Sequence, residues 1–135
     1  MDASIDIVFM HSYSVEKILD ILGQHGWGVI RDGEMCFLAP EDTDYNWIFT
    51  PFDLGKLGQA LSGKRGGIHI YHQEDNSGGQ LLFDENTLTF IPSVDAHYLP
   101  DTTPGILDSS WYITHLVKPL STSDIASYTI QQSFW

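Results

Sequence analysis

The sequence predicts a single α+β domain in which a largely antiparallel sheet carries its helices on one face. Three observations lead there. One strong helical pattern lies near the start. Several apolar runs of strand length are separated by short turn signals, and the order of elements lacks the regular alternation that β-α-β units require. A doubly wound nucleotide fold is therefore not expected. The chain has 135 residues, 42% of them hydrophobic and 13% aromatic. That size buries roughly two thirds of the unfolded chain's surface, enough for one domain spanning residues 1–135. The single cysteine, Cys36, excludes an intramolecular disulfide framework, so packing must hold the fold.

Ile5, Ile7 and Phe9 alternate with Asp6 and Val8, as in a first strand with one buried face. Ser14 is placed to cap a helix whose apolar residues Val15, Ile18, Leu19 and Leu22 recur at helical spacing, with Gly26 to end it. Trp27 to Ile30 and Met35 to Leu38 flank Arg31-Asp32-Gly33-Glu34, and a central Asp-Gly predicts a hairpin. Pro40 to Asp44 reads as an acidic loop, followed by a short aromatic strand over Tyr45 to Phe49. Asp53 is a cap for a short helix carrying Leu54, Leu57 and Leu61, weakened by Gly55 and Gly58 at about 1 kcal/mol each. Ile68 to His72, Leu81 to Phe83 and Leu88 to Ile91 read as further strands, with a turn at Asp75 to Gly79. Pro92 to Pro104 is a long irregular connection. Trp111 to Val117 reads as the last strand, and Ser121 to Asp124 offers caps for a final helical turn through Ile125, Tyr128 and Ile130.

The charge balance is lopsided. Eighteen acids against six Lys and Arg give a net charge of −12. Nucleic acid, anionic lipid and phosphate-rich ligands are disfavoured as partners, and cationic proteins are favoured. The first residues, Met1-Asp2-Ala3-Ser4-Ile5-Asp6, carry acids where a secretory leader needs Lys or Arg. No apolar run approaches the ~20 residues of a membrane helix. A cytoplasmic protein without membrane contact, monomeric when free, is the expectation.

Motifs that resemble catalytic or cofactor sites fail on chemistry. Gly58 to Lys64 has the spacing of a phosphate-binding loop, but Arg65 stands where the magnesium-binding hydroxyl belongs. It also precedes a strand instead of opening a helix. Asp42, Asp44, Asn46 and Asp53 fall at calcium-loop positions, yet Trp47 replaces the glycine of the sharp turn. His69 and His72 are the only close pair among His11, His25, His69, His72, His97 and His115, and an offset of three on a strand puts them on opposite faces. Cys36 sits in an apolar run with nothing beside it to lower its pKa. Glu41 with Asp42, Glu74 with Asp75, and Asp84 with Glu85 are turn residues, where solvated charge is the ordinary outcome. No metal, cofactor or enzymatic activity is called for.

The placement of charge is more informative. The interval from Gly66 to Val117 holds no Lys or Arg but seven acids: Glu74, Asp75, Asp84, Glu85, Asp95, Asp101 and Asp108. Glu41, Asp42 and Asp44 add an earlier acidic loop, so connections are acidic while strands are neutral. A negative loop edge on a rigid sheet is expected, with Tyr45, Trp47 and Tyr98 beside it as aromatic anchors for a basic partner.

A small, acidic α+β domain of this kind, without a catalytic signature, resembles the immunity proteins of bacterial polymorphic-toxin and contact-dependent growth-inhibition systems. The resemblance rests on size, charge and absence of motif over the whole chain. It implies an inhibitor that binds a cognate toxin domain, often a cationic nuclease, with acidic side chains standing in for phosphates. The competing expectation is a ligand-binding or enzymatic pocket similar to the cone-shaped barrels of the nuclear-transport-factor-like superfamily. That pocket would recruit His69, Tyr71, Trp111, Tyr112 and His115 with an Asp-His pair as acid and base.

Overall fold

In the computed structural model, which describes residues 2–134, the strands form one eight-stranded antiparallel sheet. In chain order its strands are β1 (Asp2–Phe9), β2 (Trp27–Gly28), β3 (Glu34–Phe37), β4 (Ile48–Pro51), β5 (Arg65–His72), β6 (Gly78–Asp84), β7 (Thr87–Val94) and β8 (Ile125–Ser133). They line up as β4-β3-β5-β6-β7-β1-β8, with β2 also pairing β5. The helices are α1 (Val15–Gly23), α2 (Leu54–Ala60) and a helical run from Ser109 to Ser123. That run is α3 (Ser109–Tyr112), a π-helical stretch (Ile113–Val117), α4 (Lys118–Leu120) and a 3-10 turn (Ser121–Ser123).

Local chemistry sets the helix starts. Ser14 Oγ accepts from the Lys17 N–H at 3.4 Å, and Asp53 Oδ1 from the Lys56 N–H at 2.9 Å. The alternating residues Ile5, Ile7, Phe9, Ile68, Ile70, Leu81, Phe83, Leu88 and Phe90 put one sheet face into the core. Ile18 and Leu22 of α1, Ala60 of α2, and Tyr112, Leu116 and Leu120 of the helical run close over them. All helices thus cover the same face, and the α+β architecture is as the sequence predicts.

The last two elements are exchanged relative to expectation. Trp111 to Val117 is helical, and Ile125 to Ser133 is a strand. The aromatic and β-branched content of Trp-Tyr-Ile-Thr-His-Leu-Val favours a strand locally. Burial of Tyr112, Leu116 and Leu120 at intervals of four overrides it, and Asp108 caps the helix by accepting from the Trp111 N–H at 3.3 Å. Ser121 to Ser123, read as an opening cap, closes the run, and Asp124 turns the chain with φ 57° into β8 against β1. The Arg31 to Glu34 turn also forms, with Asp32 and Gly33 both at positive φ. Its arms do not build a hairpin, because Trp27 and Gly28 pair with His72 and Tyr71 of β5 instead. The strand expected over Tyr45 to Phe49 begins later, at Ile48.

One hydrogen bond ties the helical run to the sheet. Pro119 has no N–H to offer the carbonyl four residues earlier, that of His115. The indole Nε1–H of Trp27 donates to this carbonyl at 2.8 Å, and Trp27 is buried. Replacing Trp27 by Phe leaves the carbonyl short of its donor, so urea unfolding should report a loss of about 1–3 kcal/mol. Unchanged stability would show that the bond contributes nothing.

Candidate partner-binding surface

Among the described residues no helix lies over the sheet's second face, and Trp47, at the end of the segment from Ala39, lies on part of it. Glu41 anchors this loop at the start of β5. Its Oε1 accepts from the Lys64 N–H at 2.9 Å, and its own N–H donates to the Arg65 carbonyl at 3.2 Å. Asp42 shapes the loop tip, accepting from the N–H groups of Asp44 at 2.8 Å and Asn46 at 3.1 Å. Trp47 closes it. Its ring lies 4.6 Å from the His69 ring, edge to face, over Gly67. A Cβ on Gly67 would sit 2.9 Å from Trp47 Cη2 and equally close to side-chain carbons of Leu38 and Leu82. The glycine therefore makes the seat for the indole.

Around Trp47 large apolar side chains face solvent. Tyr45 is 60% exposed and Phe49 68%, and Leu54 beyond them is 74% exposed. Ile48 and Phe52 are exposed as well, giving five large apolar side chains in water within ten residues; the register sets Phe49 opposite Cys36 on the Trp47 side of the sheet and Ile48 opposite Phe37 on the helix-bearing side. Tyr45 holds φ 56°, a left-handed backbone that a bulky aromatic residue adopts only under constraint. Beside them Asp44 is an exposed carboxylate. Asp42, Tyr45, Arg65, Leu82, Asp84 and Thr89 line a groove of about 380 Å³ between the loop and the β6–β7 turn. Arg65 Nε lies 3.2 Å from Asp84 Oδ1, an exposed pair of small energetic weight.

The predicted acidic edge is thus divided between two ends of the sheet. Glu41, Asp42, Asp44, Tyr45 and Trp47 share one end with Asp84 and Glu85, whose turn follows β6. Glu74 and Asp75 lie in the turn before β6, at the opposite end. Asp95, Tyr98, Asp101 and Asp108 belong to the connection after β7, which meets that turn where Asp75 Oδ2 lies 2.8 Å from His97 Nε2. Asp108 is committed to its cap, while Tyr98 is exposed. Trp47 is a half-buried packing residue and not an exposed anchor. Ile48, Phe49, Phe52 and Leu54 were not among the expected contact residues. Their signal is Pro51, which marks an edge strand with no second neighbour to cover these side chains.

The residues expected to line a pocket do not converge. His69 and Tyr71 sit on the face beneath Trp47, whereas Trp111, Tyr112 and His115 lie in the helical run on the other side. Around Trp111 there is instead a packed cluster: His97 stacks on its ring at 3.7 Å, His115 lies at 4.4 Å and His72 at 5.5 Å. His97 Nε2 is also 3.2 Å from Ser77 Oγ. Asp75 and Ser77 therefore meet the same ring nitrogen, whereas a Ser-His-Asp relay needs them on different ones. Partial burial pushes the Asp75 carboxyl up, but the Ser77 hydroxyl and N–H and the His97 and His72 imidazoles outweigh it and hold it low. Burial pushes the Cys36 thiol up to about 11, which keeps it protonated at neutral pH. Among the described residues no group of three His, Cys, Asp or Glu is arranged to hold a metal ion. Among the described residues no helix is long and apolar enough to cross a membrane. No family model matches the chain, and neither a curated protein nor a solved structure does.

Burial depresses the pKa of His69 below 6.5, and burial together with the His72 imidazole does the same for His115. The unfolded chain then takes up these protons first, so stability is level above pH 6.5 and falls as pH drops below it. The melting temperature should decline on acidification from neutral pH, and His69→Gln should flatten the decline. An unaltered slope in the variant would show that His69 titrates alike in both states.

Proposed function

We propose that this protein is an inhibitor of the immunity-protein kind that binds a cationic toxin domain through the Glu41 to Leu54 surface. The observation that carries the reading is the density of five exposed large apolar side chains from Tyr45 to Leu54, on both faces of the sheet edge, beside an acidic loop. Exposed large apolar side chains gathered beside charge are a common mark of a partner-binding site. Aromatic residues at its centre supply contact energy, and the charge supplies steering and selection of a basic partner. The net charge of −12 disfavours a polyanionic target by repulsion. Asp44, Asp84 and Glu85 would stand where a cationic nuclease expects the phosphates of its substrate.

Glu41 and Asp42 build the loop, so reversing their charge disturbs its shape as well as its field. Asp44→Lys and Phe49→Ala separate the charge from the apolar contribution. With the full chain as bait in extract of its own cells, one basic protein should be retained at low salt and released as salt is raised. Each variant should weaken its binding by about tenfold or more. Retention of no basic protein, or equal retention by both variants, would overturn the reading.

A further inference from the structure

The two ends of the sheet differ in how their outer strands are protected. β4 is four residues long and ends in Pro51, which cannot donate to a neighbouring strand. β8 is the other outer strand, nine residues long, with the sequence Ile-Ala-Ser-Tyr-Thr-Ile-Gln-Gln-Ser. It contains no proline, no glycine and no charged residue. Its register with β1 runs unbroken from Asp2↔Ser133 to Val8↔Ser127, with one irregularity at Phe9. Within the sheet β8 pairs with β1, and near its end the Gln132 side chain accepts from the Leu107 N–H and donates to the Gly105 carbonyl, each at 2.8 Å. Ala126 to Thr129 are exposed. A strand with an uncharged outer edge exposed over these residues is a template for pairing with another chain.

We propose that β8 pairs antiparallel with β8 of a second copy of this chain, with Thr129 on the two-fold axis. Charge and self-complementarity select this occupant. Two molecules of net charge −12 repel over most of their surfaces, and β8 is a nine-residue stretch that carries no charge. In the register centred on Thr129, Tyr128 faces Ile130 of the other copy and Ile130 faces its Tyr128. These aromatic and β-branched pairs lie on the helix-bearing side, where the register with β1 sets Tyr128 opposite Ile7 and Ile130 opposite Ile5. On the other side Thr129 meets itself and Ser127 meets Gln131, all uncharged. The contact is isologous and closes after two copies. It revises the expectation of a free monomer, and it leaves the surface from Glu41 to Leu54, at the opposite edge of the sheet, open on each copy.

Salt separates this contact from partner binding. Self-association of two acidic chains strengthens as salt screens their repulsion, whereas binding of a basic partner weakens. Sedimentation velocity on the full chain alone, from micromolar to hundred-micromolar concentration, should show a species of twice the monomer mass whose share grows with salt. Thr129→Lys sets like charges opposite each other at the axis and should weaken the dimer by about tenfold or more. Its cross-strand neighbour in the fold is Asp6, which tolerates a lysine, and Ser127→Lys replaces the variant if its far-UV spectrum is lost. Leu54→Lys, at the other edge, should leave the dimer intact. A wild-type monomer throughout the range would overturn the proposal. A dimer that persists in the β8 variant, or one abolished by Leu54→Lys, would do so too.

Discussion

An eight-stranded sheet with helices on one face leaves the second face to be managed by whatever the connections supply. Here the arrangement depends on Gly67, whose missing side chain admits the Trp47 indole. Once Trp47 is seated against His69, Leu38 and Leu82, the loop before it is drawn onto the sheet. The chain after it runs out along the β4 edge. Phe49, two residues on, lies on the same face with its ring 6.4 Å from His69, and it and Tyr45 remain exposed. The same contact therefore covers part of an open face and leaves Tyr45 and Phe49 exposed beside it, so packing and candidate function meet at this loop.

The acids of this region have two kinds of work. Glu41 and Asp42 spend their oxygens on backbone N–H groups, satisfying donors that the irregular loop would otherwise leave bare. Asp44 is exposed, and its charge is left for solvent or a partner. At the far end of the sheet Asp75 and Asp108 are similarly occupied, with His97 and with a helix start. Raw counts of carboxylates therefore overstate the charge available for recognition. What distinguishes the Glu41 to Leu54 side is the density of exposed apolar residues beside it.

Much of the fold was legible from local pattern. The Ser14 and Asp53 caps, the alternation of Ile5, Ile7 and Phe9, and the strands from Ile68 to Ile91 all form as the residues suggest. The failures came where tertiary context overrode propensity. Trp111 to Val117 has strand-like composition, and only its continuation to Leu120 and the Asp108 cap disclose a helix. Trp27 and Gly28 abandon their hairpin partner for β5, and the Trp27 indole bonds to the His115 carbonyl far along the chain, contacts that local sequence does not encode. The candidate surface was half legible: charge located the loop, but the outward direction of Phe49, Phe52 and Leu54 follows from strand order, which composition does not encode. Strand order also makes β8 an outer strand.

The account stands on the Glu41 to Leu54 surface being the contact face. Hydrogen exchange of the backbone amides, compared between the free chain and its complex with the captured basic protein, tests this directly. Slowed exchange concentrated in residues 41–54 and 84–86, with the 73–77 turn and the 95–108 connection unchanged, is the expected result. Slowing confined to the 73–77 and 95–108 segments would place the contact at the opposite end of the sheet and contradict the account.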